Sequence, residues 1–99
     1  MADKTWKATE RKIAALLCGR RVGPTGDSTA DVLTPWLCIE VKTRKALPAW
    51  LLAAVGQAVA ATQGGRLSLV VLHELGQRHN DDLVVLRLAD FQDWFCGEP

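Results

Sequence analysis

Ninety-nine residues, 48% apolar and 23% charged, make one globular domain with a modest core and exclude a disordered chain. The three cysteines, Cys18, Cys38 and Cys96, show no C-x-x-C spacing and cannot all pair within one chain. The net charge of +1 conceals an asymmetry: residues 1–45 hold nine Lys or Arg against five Asp or Glu, and residues 46–99 hold three against six, so the first half suits a phosphate polyanion.

In chain order, the opening Met-Ala-Asp-Lys-Thr-Trp-Lys is polar and lacks the apolar run of a secretory signal. Thr5 to Cys18 is expected as a helix, capped by Thr5 and ended by Gly19, with Trp6, Ile13, Ala14, Leu16 and Leu17 on one apolar side. Arg20-Arg21-Val22 is extended and leads into a Gly/Pro-marked loop, Gly23 to Ser28. A hairpin follows: strand Ala30–Leu33, a turn at Thr34-Pro35, and strand Trp36–Lys42. In that second strand Leu37, Ile39 and Val41 point one way, and Cys38, Glu40 and Lys42 the other. Thr43-Arg44-Lys45 is a basic loop.

Pro48 suits the first turn of a helix running to about Gln63 and stopped by Gly64-Gly65. Leu67 to Leu75 is an apolar run expected as a central strand buried on both faces. Gly76 to Asp82 is a polar turn and Leu83 to Leu88 a further strand. Asp90 is expected to cap a last short helix carrying Phe91, Trp94 and Phe95. The whole is an α/β domain over residues 1–99, a mixed sheet flanked by helices in the order α-β-β-β-α-β-β-α. The longest apolar stretch, Ala46 to Thr62, is interrupted by Pro48, Gly56 and Gln57 and falls short of the ~20 residues that span a bilayer. With Cys18 and Cys38 expected as buried thiols, a cytoplasmic location is expected.

The residues that carry chemistry lie on the hairpin. Asp31 precedes Glu40-Val41-Lys42 by nine residues, which brings it opposite Cys38 to Glu40. Glu40 and Lys42 share a strand face, about 7 Å apart along it. Two carboxylates that close repel each other unless a cation lies between them. Mg²⁺, or Mn²⁺, is the natural occupant, with the backbone carbonyl of Ile39 or Val41 as a further oxygen ligand. Lys42 would orient or deprotonate an attacking water, or stabilise charge on phosphorus, in phosphodiester hydrolysis. The bland alternative is an exposed strand face with a Glu40–Lys42 salt bridge.

This arrangement resembles the PD-(D/E)XK nuclease superfamily, and within it the small archaeal-type Holliday junction resolvases. The resemblance covers about residues 5–75 and implies a restriction-endonuclease-like core. It implies Asp31, Glu40 and Lys42 as the catalytic aspartate, glutamate and lysine, and Glu10 as the helical glutamate assisting as a third metal carboxylate. Arg20 and Arg21 fall where that group contacts the junction backbone. Ala30 stands where many members have proline. Gln57 matches a glutamine that in many members reaches the active site; Ala61 replaces the tyrosine that follows it in the exonuclease branch. The implied activity is a Mg²⁺-dependent, structure-selective DNA endonuclease acting as a homodimer. Arg11, Lys12, Arg20, Arg21, Arg44 and Lys45 would hold the DNA backbone. The alternatives are a phage or mobile-element nuclease for other branched or duplex DNA, and a catalytically silent DNA-binding module with the same fold.

Other residues carry less. Gln57 sits in an otherwise apolar helix and needs a polar partner there. That helix is rich in Ala and Gly and suits close contact with a second copy. His73-Glu74 lacks a second histidine for a metal site, and His79 is expected in a solvated turn. Asp27 is second choice to Asp31 as a ligand. The tryptophans are expected in the core or an interface, apart from Trp36 at the mouth of the hairpin.

Overall fold

In the computed structural model, which describes residues 5–22 and 30–96, the chain forms two compact units, Met1–Lys45 and Ala46–Pro99. The boundary falls where the sequence turns from basic to acidic. The first unit holds α1 (Thr5–Leu16), β1 (Arg20–Arg21), β2 (Val32–Leu33) and β3 (Cys38–Ile39). The second holds α2 (Ala49–Ala61), β4 (Val70–Leu72), a 3₁₀ turn (His79–Asp81), β5 (Leu83–Val85) and α3 (Leu88–Phe95). The protein is therefore mixed α/β, in the expected element order. Where one mixed sheet was expected, the described strands form two antiparallel sheets, β1-β2-β3 and β4-β5. Strands of two or three residues pair only with their sequence neighbours. Asp27 and the loop around it lie outside the described residues.

In the first unit α1 lies against β1 and β2. Its buried stripe is Glu10 and Ala14, continued by Leu17 just past the helix end, at the i, i+4, i+7 spacing of one helix face. Trp6 and Leu16, expected on that side, are exposed, because the stripe that meets the sheet is narrow. Val32 of β2 is fully buried and centres this small core. The end of α1 explains two adjacent residues. Gly19 N–H donates to the Ala14 carbonyl at 2.7 Å and Cys18 N–H to that of Ala15 at 3.4 Å, the paired bonds of a Schellman closure. Cys18, not Gly19, takes the left-handed conformation, at φ 56°. Gly19 is required for space: a Cβ there would lie 2.8 Å from Val32 Cγ1 and 3.0 Å from the Leu33 carbonyl. Cys18 and Cys38, expected to be buried, are both exposed.

The hairpin turn is built by Thr34. Its hydroxyl accepts the N–H groups of Trp36 and Leu37 at 3.2 and 2.9 Å, and its own N–H donates to the Leu37 carbonyl at 3.0 Å. Beyond it, β2 and β3 pair Leu33 with Cys38 and Val32 with Ile39. The expected strand Trp36–Lys42 is thus a two-residue ladder followed by irregular chain.

In the second unit Pro48 precedes α2, and its carbonyl accepts from Leu51 and Leu52. The helix ends at Ala61, with Thr62 already extended, two residues before the expected stop, and Gly64 and Gly65 turn the chain beyond it at positive φ. The apolar run Leu67–Leu75 contributes only β4 and is not buried on both faces: Leu69, Val71 and Leu75 are exposed. None of the described residues of α2, β4, β5 or α3 is buried. The last helix begins at Leu88, inside the segment expected as strand, and Asp90 lies in its first turn instead of capping it. Asp90 binds the Arg87 guanidinium at 3.0 and 3.2 Å, and this hydrogen bond and its charge raise the Arg87 pKa. Among the described residues no helix is long and apolar enough to cross a membrane.

Candidate active site

Extending the β2–β3 register by one pair sets Asp31 opposite Glu40. Two contacts hold Asp31 there. Its carbonyl accepts the Val22 N–H at 2.9 Å, and its carboxylate Oδ2 accepts the Val41 N–H at 2.8 Å. The second bond reaches from the aspartate into the centre of Glu40-Val41-Lys42. Val41 thus contributes its amide to orienting Asp31, a role the sequence pattern did not indicate.

Glu40 Oε2 and Lys42 Nζ are 3.6 Å apart, with side chains 57% and 69% exposed. An ion pair this open is worth at most about 1 kcal/mol, so either member can exchange its partner for a ligand at little cost. Next to Lys42, the Thr43 hydroxyl is buried and has no hydrogen-bond partner among the described residues. A buried hydroxyl in that condition is a candidate for water or a phosphate oxygen.

Among the described residues of this unit Glu10 is the buried acid, 5% exposed, and its Oε1 accepts the Arg21 Nε–H at 2.8 Å. Arg21, half-buried and 6.0 Å from the Trp6 ring centroid, is therefore tied to α1. Lys12, Arg20, Arg44 and Lys45 are exposed, as is Arg11; Arg44 also donates to the Thr43 carbonyl at 3.0 Å. Trp36 is exposed at the hairpin mouth. Gln57 lies on α2 in the second unit and is exposed, so solvent can serve its amide.

The fold thus joins Asp31 to Val41, Glu40 to Lys42, and Glu10 to Arg21. Asp31 and Glu40, set opposite each other just beyond the two-residue ladder, offer hard oxygen donors, a chemistry that fits Mg²⁺ or Mn²⁺ better than a softer ion. Comparison with protein-family models, curated proteins and solved structures finds no match.

A second constellation escaped the sequence pattern. His73 Nδ1 lies 2.6 Å from Asp82 Oδ1, and His79 Nδ1 lies 3.1 Å from Asp82 Oδ2. The two imidazoles stack, with centroids 4.4 Å apart. The missing second histidine of His73-Glu74 is supplied from the turn. The available signal was the hairpin itself, with an apolar strand on each side of a polar segment.

Proposed function

We propose that this chain is a Mg²⁺-dependent DNA endonuclease with a restriction-endonuclease-like core of the PD-(D/E)XK kind, selective for branched DNA such as a four-way junction. The observation that carries the reading is the 2.8 Å bond from Val41 N–H to Asp31 Oδ2, which joins the two sequence-distant halves of the motif. Asp31 and Glu40 would hold the ion. When bound, it would polarise the scissile phosphate and acidify the attacking water.

The protein's own groups divide the remaining work. The Val41 amide holds the Asp31 carboxylate through Oδ2 and leaves it little freedom to lose. Lys42, whose exposed contact to Glu40 is readily exchanged, would present its ammonium to the attacking water or to a non-bridging phosphate oxygen. Arg21 can exchange Glu10 for a DNA phosphate, which would free Glu10 to serve as the third carboxylate. The exposed cations of the first unit bind the backbone, and two copies of the chain would cut two strands of a symmetric junction.

The test incubates the chain with Mg²⁺ and four-way junction, flap and duplex DNAs, beside Lys42→Ala and Asp31→Asn. The expected result is junction cleavage reduced at least about a hundredfold by either change. The amide introduced by Asp31→Asn keeps an oxygen to accept the Val41 N–H, so that variant should fold normally. Cleavage unaffected by Lys42→Ala would sink the site assignment. Cleavage of duplex alone would remove the junction, and binding without cleavage would point to the silent module.

A further inference from the structure

We propose that His73, His79 and Asp82 form a site for one divalent transition-metal ion of the zinc type, sharing no residue with the Asp31–Glu40 site. The convergence follows from local geometry. β4 and β5 pair Leu72 with Leu83, so the next pair outward sets His73 opposite Asp82, on the face that Val71 and Val84 share. His79 opens the 3₁₀ turn His79–Asp81, and the Asp82 N–H donates to the His79 carbonyl at 3.0 Å. Residues three apart eclipse in a 3₁₀ turn, which stacks His79 over Asp82 and against the His73 ring.

The donor atoms suit the ion. Ligand atoms of the three side chains all lie within 4.8 Å of one another. Zinc with bonds of about 2.0–2.1 Å sets neighbouring ligands of a tetrahedron about 3.4 Å apart. His79 is 83% exposed and has the freedom to make that adjustment, whereas Asp82, at 12%, is held. Two imidazole nitrogens and one carboxylate oxygen are a borderline-soft set that favours zinc, cobalt, nickel or copper over magnesium.

The electrostatics point the same way. Asp82 is a largely buried carboxylate whose described partners are imidazoles, and Arg78 is engaged by Asp81 at 3.5 Å. The stacked rings, 4.4 Å apart, bring both imidazoles to the same carboxylate. Both Nδ1 atoms already lie against this carboxylate, and in the tautomer with hydrogen on Nε2 each offers a lone pair to an ion beside it. A depression of about 480 Å³, lined also by Glu74 and Gln77, opens next to His73 and Asp82 and leaves room for a water as fourth ligand. Such an ion would tie the end of β4 to the start of β5 through the polar turn.

The experiment is calorimetric titration of the untagged protein with ZnCl₂, with thermal melts and side-chain histidine NMR in parallel. Zinc should bind one per chain, raise the melting temperature, and shift His73 and His79 together. His79→Gln, an exposed position whose loss leaves the apo fold intact, should weaken binding at least about tenfold, as should Asp82→Asn. Asp31→Asn should bind zinc like the wild type, and excess Mg²⁺ should not compete. Binding seen only at millimolar zinc, or unchanged in His79→Gln, would overturn the site. Zinc binding lost in Asp31→Asn would also overturn it, by placing the ion on the other carboxylates.

Discussion

At the scale of single residues, the Glu10–Arg21 pair decides how the first unit holds together. Glu10 is buried at 5% exposure, and Arg21 Nε gives it a charge-assisted hydrogen bond at 2.8 Å. Removing the arginine leaves a carboxylate with neither water nor a partner, and that desolvation dominates over the bond itself. Arg21→Ala should therefore lower the unfolding free energy by roughly 1–3 kcal/mol, at the modest end because Arg21 is not fully buried. Glu10→Gln should cost less, since its amide oxygen still accepts from Arg21. Urea denaturation of both variants checks this order, and Glu10→Gln costing as much as Arg21→Ala would show that the charge is essential. The pair was not legible in the sequence. Glu10 and Arg21 are eleven positions apart on different elements, and their meeting depends on the angle at which α1 crosses β1. Asp31 was legible only as lying opposite Cys38 to Glu40: a two-residue turn at Thr34-Pro35 would set it against Cys38, and the observed pairing of Leu33 with Cys38 moves it to Glu40. The Val41 amide on Asp31 was not legible, since side-chain alternation says nothing of where a backbone N–H points once the ladder has ended.

At the scale of elements, the helices were more legible than the strands. A helix carries its own hydrogen bonds, so periodicity and end signals place it within a few residues. A strand exists only where a partner lies alongside, and apolar runs such as Trp36–Lys42 and Leu67–Leu75 overstate it. Arg87 and Leu88 read as strand residues for the same reason, yet the Arg87–Asp90 pair opens a helix there. The closure of α1 allows a sharper test. Cys18 holds φ 56° with a Cβ, whereas Gly19 needs its missing Cβ for the approach of β2. Cys18→Gly should stabilise the first unit by about 0.5–1 kcal/mol by relieving the left-handed conformation. Gly19→Ala should destabilise it by about 1–3 kcal/mol, because Val32 and the Leu33 backbone must shift. Opposite signs in paired chemical denaturations are expected at these neighbouring positions. A loss at both would mean that the Cys18 side chain makes a contact that outweighs its strain.

At the scale of the whole molecule, the two units differ in charge and in apolar exposure. The first carries nine cations against five anions, a net +4, and the second three against six, a net −3. The second unit also leaves Trp50, Leu52, Val71 and Val84 exposed. Trp50 and Leu52 lie on the Ala- and Gly-rich α2, so a second copy is the expected cover. Sedimentation equilibrium at micromolar concentration should give a dimer that Trp50→Glu converts to monomer; a wild-type monomer would remove the proposal. The charge division makes the stronger prediction. If the first unit holds DNA by phosphate contacts, each contact releases counterions, and log K falls with log salt by about 0.9 per phosphate. Arg44→Ala with Lys45→Ala should then reduce the magnitude of that slope by about 1.8, and weaken junction and duplex alike, because such contacts carry no sequence information. Arg66→Ala with Arg78→Ala, an equal loss of charge from the second unit, should leave the slope within about 0.3 of wild type if those cations touch no phosphate. Fluorescence anisotropy over a salt series, in EDTA so that no strand is cut, separates the two cases. Equal slopes from both double variants would mean that net charge alone attracts the DNA. The first unit alone losing slope would mean that the face beside Asp31 and Glu40 binds the backbone those residues are proposed to cut.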